Sequence, residues 1–537
     1  MKKLVLGNEA LAQGAIDAGI SGVYAYPGTP STEITEYIQR SKTAKSLHIH
    51  STWSVNEKTA MEAALGMSYT GKRSMVVMKH VGLNVASDVF MNMAVSGING
   101  GLAVVVADDP SMHSSQNEQD SRFYGKFAMI PILEPSNQQD AYNIMHYAFD
   151  LSEELKLPVM IRMVTRLSHS RSGVTFKERR TQNGIQLPVD TTRFALIPAH
   201  AKKQFEKLVQ KKKLLLSSSE KSPYNKISLS EDRSLGIIAC GIAYNYVMEN
   251  IGENEEFYSI IKISQYPIPK EKIKELYQHC DEILVVEEGY PIIEELLHDY
   301  FDDNGKIKGK LSGDLPLTGE LNPNTVGKAS GFFQNNTTDI PDIVTGRPPQ
   351  LCDGCGHTDM FNVINELIPE IGNKNVFGDI GCYALGALPP LNSINTLIDM
   401  GASITMAKGA ADAGLKNAIA IIGDSTFTHS GMTGLLDAVY ENSPITIIIS
   451  DNSAVAMTGA QDSSALGRLK SICLGIGVHP EHLKMVVPLK KNHNEIVEVL
   501  RKELNYEGVS VIIAQRACVR LSRDKKEEIK QKIASLN

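Results

Sequence analysis

Residues 418–461 read AIAIIGDSTFTHSGMTGLLDAVYENSPITIIISDNSAVAMTGAQ, and their reading decides the fold. Two apolar runs, 418–422 and 445–450, each end in a polar turn: Gly423-Asp424-Ser425 after the first, Ser450-Asp451-Asn452 at the second. Isoleucine-rich runs without polar alternation are strands buried on both faces, and such strands belong to parallel sheets. The stretch between them supplies the crossover helix. Ligands of α/β sheets bind beyond the carboxyl ends of the strands, so Asp424 and Asn452 are expected side by side at one sheet edge. A carboxylate, an amide oxygen and a backbone carbonyl are the oxygen ligands that Mg²⁺ takes when it shares phosphate oxygens. The stretch 428–431, beginning with Thr428, is expected to open the helix and turn its free N–H groups toward those phosphates. Either residue alone reads as a helix cap or a turn. The pair at this spacing reads as a diphosphate anchor.

The same alternation extends outward. Strands are expected at 22–26, 74–79, 102–107 and 159–164, with helices at 57–68 and 138–154 between them, the pattern of βαβ units. A second α/β unit has strands at 236–241, 257–263 and 282–287, and a third, starting near Arg347, adds a strand at 509–514. Residues 180–232 read as a linker, the basic run 202–213 being a solvated helix face and 217–232 a polar connection. A second polar passage runs from Asp303 to Asp342. Three α/β domains with parallel sheets follow: 1–180, 190–340 and 345–537. The first and third are compatible with one duplicated fold.

Composition narrows the function. The 537 residues are 42% hydrophobic and 21% charged, with a net charge of -7, which gives no electrostatic reason for a nucleic-acid or anionic-membrane partner. The apolar start MKKLVL breaks at Gly7-Asn8-Glu9, and no uncharged apolar stretch is long enough to span a bilayer, so a cytosolic protein is expected. Seven cysteines, an odd count, argue against a disulfide framework and leave metal or redox use open. Cys352-x-x-Cys355 is a thiolate pair that an iron–sulfur cluster or tetrahedral zinc accepts. Cys240, Cys280 and Cys473 read as small buried hydrophobes. In LHIHSTWSVNEKTAMEAALGMS, residues 47–68, Glu57 sits where an extended segment becomes a helix. It either complements the helix dipole or is a working carboxylate.

These residues resemble the thiamine-diphosphate enzymes, whose anchor begins Gly-Asp-Gly and closes on an Asn-containing turn; here Ser425 takes the third position. The likeness narrows to the alpha subunits of indolepyruvate ferredoxin oxidoreductase, in the 2-oxoacid:ferredoxin oxidoreductase superfamily, and covers nearly all of the chain. Tyr26-Pro27-Gly28-Thr29-Pro30-Ser31, Lys79-His80-Val81-Gly82-Leu83-Asn84 and the run HSSQNEQDSR at 113–122 carry it in the first third. Cys352-Asp353-Gly354-Cys355-Gly356-His357, Asp379-Ile380-Gly381-Cys382-Tyr383 and the diphosphate segment carry it in the last.

The resemblance implies thiamine diphosphate held through Mg²⁺ by Asp424, Asn452 and the carbonyl of Ala454, with Gly423, Ser425, Thr428 and His357 lining the cofactor. It implies that Glu57 bonds the pyrimidine ring and activates it, that Thr29 lies by the substrate carboxylate and that Arg122 pairs with that carboxylate. As in the related pyruvate enzymes, Cys352, Cys355, Cys382 and Cys518 would hold a [4Fe–4S] cluster. Domain 1–180 would bind the pyrimidine, 345–537 the diphosphate, and 190–340 would resemble the transketolase C-terminal domain. The implied reaction is oxidative decarboxylation of an aryl 2-oxo acid such as indolepyruvate, with coenzyme A, to arylacetyl-CoA and CO₂, electrons passing to ferredoxin. The implied assembly is α2β2 with a smaller beta subunit. Many such subunits end in a ferredoxin-like module with eight cysteines; here no Cys-x2-Cys-x2-Cys-x3-Cys run occurs and a charged helix, 521–536, follows Cys518, so electrons are expected to leave the cluster directly for a separate carrier or partner. The rival readings are a non-oxidative thiamine-dependent decarboxylase and a non-catalytic assembly subunit.

Overall fold

Valine and isoleucine runs form the centre of every large sheet, because β-branched side chains fit a pleat closed in on both faces. The structure is a computed structural model that describes residues 2–536 apart from Glu253, 302–304, 333–340, Asp342, Arg347, Pro348 and Asn373. The boundary residues Asp303, Asp342 and Arg347 therefore lie outside the described residues. The chain forms two compact units, 1–338 and 339–537.

The first unit holds two large sheets. One has seven strands in the order Gln265–Tyr266, Ile132–Leu133, Val159–Val164, Leu102–Asp108, Ser74–Lys79, Gly22–Ala25 and His50–Trp53, parallel except for the first. Helices Glu57–Tyr69, His80–Ser96 and Gln138–Leu155 connect these strands. The other sheet runs Ile307–Lys308, Glu282–Val286, Leu235–Cys240, Ser259–Ile263 and Lys226–Ser228, with the last antiparallel. Gln265–Tyr266 follows a strand of the second sheet yet pairs with Ile132–Leu133 of the first, so one chain segment ties the two together.

The second unit has one large sheet, all parallel: Val376–Phe377, Ala418–Gly423, Ile445–Asp451, Ser510–Gln515 and Leu483–Val486. Its strands split their side chains with period two. Ala418, Ala420, Ile422, Ile447 and Ile449 enter one core, while Ile419, Ile421, Ile448 and Ile512 enter the core on the other face.

The α/β class with mainly parallel sheets matches the expectation, and the strands fall close to the expected positions. The stretch 180–232, expected as a linker with a helix face at 202–213, holds more structure than that: two helices, Pro198–Gln210 and Lys212–Glu220, and the strand Lys226–Ser228. Leu208 and Leu215 are the buried hydrophobic residues of the two helices, and their weak apolar pattern is masked by the surrounding lysines. Among the described residues no helix is long and apolar enough to cross a membrane.

Candidate active site

In the second unit the Ala418–Gly423 strand passes directly into a helical turn, Asp424–Thr426, then a π-helical turn, Phe427–Gly431, and the helix Met432–Tyr440. The parallel register sets Gly423 against Ser450, so Asp424 and the pair Asp451-Asn452 leave the sheet at the same edge. Asp424 is 3% exposed and its Oδ2 has no hydrogen-bond partner. Burial, and then the charge of neighbouring Asp451, push its carboxyl up to about 8. A divalent cation fits this acid: it would satisfy the orphaned oxygen and offset the repulsion from Asp451. Asn452 Oδ1 accepts the Ala454 N–H at 3.1 Å, which turns the chain so that both residues face the same edge. Asn452 Nδ2 lies 3.5 Å from Nε2 of His357, a buried imidazole whose pKa burial lowers to about 4.

Gly423 is required by close approach. A Cβ there would fall 2.6 Å from the Tyr383 ring, and one at Gly381 would meet the same ring at the same distance. Ser425 Oγ donates to Ser463 Oγ at 3.1 Å, and Thr428 Oγ1 lies 2.7 Å from Ser464 Oγ. The stretch 428–431 does not open the helix. The helical turn begins four residues earlier, at Asp424, because the strand ends without a loop. The N–H groups that a helix start leaves free therefore fall on 424–427, not 428–431.

Cys352, Cys355, Cys382 and Cys518 line one cavity of about 170 Å³, together with His357, Asp451, Asn452, Arg516 and Arg520. Cys355 precedes the helix Gly356–Ile371, and the N–H groups of His357 and Thr358 donate to its sulfur. Burial nonetheless raises the thiol, and raises Cys382 to about 11, helped by the other three cysteines. Among the described residues no three His, Cys, Asp or Glu side chains converge as a binding group for a metal ion. The donor chemistry still fits an iron–sulfur cluster: four sulfurs face one cavity, and a cationic core would relieve their mutual repulsion. The Cys518 N–H donates to the Asn452 carbonyl at 2.9 Å, so the thiol cavity and the acid–amide edge share a wall.

In the first unit, Glu57 opens the Glu57–Tyr69 helix, and Asn56 Oδ1 caps that helix by accepting the Thr59 N–H at 2.9 Å. Glu57 is 4% exposed. Gly82 leaves it room, since a Cβ there would fall 2.6 Å from its Cγ and Oε1. Thr29 is half-buried in the loop after Gly22–Ala25. That loop is tied by Gly28 N–H to Thr32 Oγ1 at 3.0 Å and Ser31 Oγ to the Gly28 carbonyl at 2.7 Å.

Arg122 corrects the expectation. It is fully buried. Its Nε and Nη2 bond Asp120, its Nη1 bonds Glu287 at 2.8 Å and Tyr266 at 3.3 Å, and its Nη2 also donates to the carbonyls of Glu288 and Tyr290. Every N–H of the guanidinium is engaged by the protein, so Arg122 is a scaffold cation and has no fork to offer a carboxylate.

Asp451, Gly82 and Lys79 are site residues to which the sequence reading assigned no role. Asp451 adjoins Asn452, and the other two lie in the run Lys79–Asn84 quoted above. What no spacing revealed is that Gly82 packs against Glu57, which is on a different helix, and that Lys79 is near enough to feel its charge.

Two family models match the chain: "Pyruvate flavodoxin/ferredoxin oxidoreductase, thiamine diP-bdg" at residues 13–213, and "Thiamine pyrophosphate enzyme, C-terminal TPP binding domain" at 379–514. The indolepyruvate oxidoreductase subunit IorA of Archaeoglobus fulgidus is 38% identical over 98% of this chain and 88% of its own. The subunits of the same name from Thermococcus kodakarensis and Methanothermobacter thermautotrophicus are 36% and 37% identical, each over 96% of this chain and over 85% and 87% of their own lengths. Among solved structures, a 2-oxoglutarate:ferredoxin oxidoreductase from Magnetococcus marinus shares the fold, with a TM-score of 0.50 and 17% identity over 62% of this chain and 65% of that one, just under two thirds of its length.

Proposed function

The chain belongs to the indolepyruvate oxidoreductase subunit IorA family, thiamine-diphosphate-dependent members of the 2-oxoacid:ferredoxin oxidoreductases, and from that membership we propose that it is the alpha subunit of an enzyme acting on an aryl 2-oxo acid such as indolepyruvate. The reaction class is oxidative decarboxylation of a 2-oxo acid. In the proposed reaction the 2-oxo acid and coenzyme A give the arylacetyl-CoA, CO₂ and a proton, and two electrons pass one at a time to ferredoxin. A smaller beta subunit completes an α2β2 assembly.

When bound, thiamine diphosphate supplies the electron sink that lets the carboxylate carbon leave, and an iron–sulfur cluster supplies a store for single electrons. Asp424 and Asn452, with the Ala454 carbonyl, would hold the diphosphate through Mg²⁺, beside Gly423, Ser425, Thr428 and His357. Glu57, buried under Gly82, would hold a proton at a pyrimidine nitrogen. The Cys352, Cys355, Cys382 and Cys518 thiolates would hold the cluster.

The observation that carries this reading is Asp424: a fully buried acid with an orphaned oxygen, at the edge it shares with Asn452, which itself lines the cavity of the four cysteines. The test is anaerobic purification with the beta subunit, iron and sulfide analysis, and electron paramagnetic resonance after adding indolepyruvate and coenzyme A. About four irons per alpha chain with a reduced-cluster signal are expected. Zinc, or turnover that ignores electron acceptors, would instead favour the non-oxidative decarboxylase.

A further inference from the structure

With Arg122 consumed by the scaffold, a 2-oxo acid's carboxylate needs another cation, and the first unit holds one next to Glu57. Lys79 is the last residue of the Ser74–Lys79 strand, at the carboxyl edge of the sheet where ligands of such sheets bind. The helix His80–Ser96 starts immediately after it and carries Gly82 against the Glu57 carboxylate. The Lys79 stem lies across Gly28: a Cβ at that glycine would fall 3.2 Å from Lys79 Cγ and Cδ. The lysine therefore passes directly beside the backbone that leads into Thr29, and the absence of a side chain at position 28 makes room for it.

The ammonium at the end of that stem is under-used. It donates to the Ser114 carbonyl at 2.7 Å. An ammonium has three N–H groups, and among the described residues no carboxylate forms an ion pair with this one. Glu57 and Asp109 are near enough to act on it through space. Asp109 is itself satisfied by Ser114 N–H at 2.8 Å, Ser115 Oγ at 2.7 Å and Thr165 Oγ1 at 2.6 Å. Burial lowers the Lys79 pKa to about 8, against the pull of Asp109 and Glu57. A cation held this way gains from an anion brought in from outside.

We propose that Lys79 binds the carboxylate of the 2-oxo acid, its ammonium pairing with the group that leaves as CO₂, beside the loop that carries Thr29. The assignment rests on the decarboxylase reading above and names the residue that selects an acid as substrate. The pairing positions the carboxylate without a covalent step. As CO₂ departs the negative charge moves off the ammonium, and the product acyl group has nothing to hold it there.

The test uses the complex with its beta subunit, loaded with thiamine diphosphate, as wild type, Lys79→Met and Lys79→Arg. Steady-state kinetics give KM and kcat for indolepyruvate, and calorimetry gives the affinity for two non-reacting ligands, indolepropionate and its methyl ester. Lys79→Met is expected to raise KM and weaken indolepropionate on the order of 10- to 100-fold, as loss of one charged hydrogen bond does. The ester and thiamine diphosphate should bind as before, and Lys79→Arg should recover part of the loss. Equal weakening of acid and ester, or an unchanged KM in Lys79→Met, would overturn the assignment while leaving the decarboxylase reading intact. Wild-type complex that loads thiamine diphosphate yet turns over no 2-oxo acid would bring down that reading, and this assignment with it.

Discussion

Each unit buries a cluster of charge, and the two clusters are built on opposite plans. In the first, Arg122 and Arg162 are fully buried among Asp108, Asp120, Glu134 and Glu287. Arg162 Nε donates to Asp108 at 2.6 Å, and the Tyr266 hydroxyl donates to Glu134 at 2.6 Å, so both signs are present and bonded. In the second, Asp424 and Asp451 stand at one edge near four thiols, and the nearby charges that act on Asp424 and Cys382 are negative ones, which raise both. A fold that needs charge for its own integrity supplies both signs. Where acids and thiols gather with no cation bonded to the acids, the partner comes from outside. The first cluster is therefore scaffold, and it fastens the edge of the seven-stranded sheet to residues 287–290. The second is the cofactor site proposed above.

That contrast can be broken by substitution, and the largest effects come first. Asp424→Asn should cut kcat/KM on the order of 10³-fold, as losing an electrostatic partner of the reacting group does. The cofactor-free variant should melt no lower than wild type, because the exchange removes a buried, unsatisfied acid. A lowered melting temperature would put Asp424 in the scaffold. Arg162→Met should do the reverse, costing about 3–5 kcal/mol in urea unfolding by stranding Asp108 and Glu134. Gly82→Ala forces Glu57 aside and should lower kcat about 10²-fold with little change in thiamine diphosphate affinity. Cys518→Ser should lose bound iron, while Cys473→Ser, in the hydrophobic core, should keep it; equal iron in both would remove Cys518 from the cluster.

The smallest effect sharpens the comparison within the scaffold. Burial raises Glu287 to about 7 even with Arg122 beside it. Its unfolded value is about 4.3, so the unfolded chain loses this proton first as pH rises. Stability from this group is full below pH about 4, falls as pH climbs toward the folded value and is flat above it. Glu287→Gln should flatten the loss measured by urea unfolding between pH 5 and pH 7.5. An unchanged slope would mean that Arg122 keeps Glu287 ionised throughout.

What the sequence disclosed follows the same division. The strand ends and the Asp424–Asn452 pair were legible because buried isoleucine runs and the polar turns after them are local signals. The fate of Arg122 was not, since its partner Glu287 lies 165 residues away and no spacing encodes that contact. The helix start was misplaced from Asp424 to Thr428 because Gly423-Asp424-Ser425 reads as a polar turn, whereas the strand passes into the helix there without one. Within 180–232 the lysine run marked a helix face at 202–213, but the second helix, Lys212–Glu220, and the strand Lys226–Ser228 fell in what read as a polar connection. Lys79 was quoted as part of a run but not read, since its meaning depends on Gly28 and Ser114, residues of two other loops.

The hydrogen bond from Cys518 to the Asn452 carbonyl bears on how the protein is made. On the ribosome Asn452 emerges long before residue 518, and its carbonyl finds this partner only after the Ser510–Gln515 strand has docked beside Ile445–Asp451. A wall that is to hold both the vitamin-derived cofactor and iron, as proposed, would be complete only at that late moment.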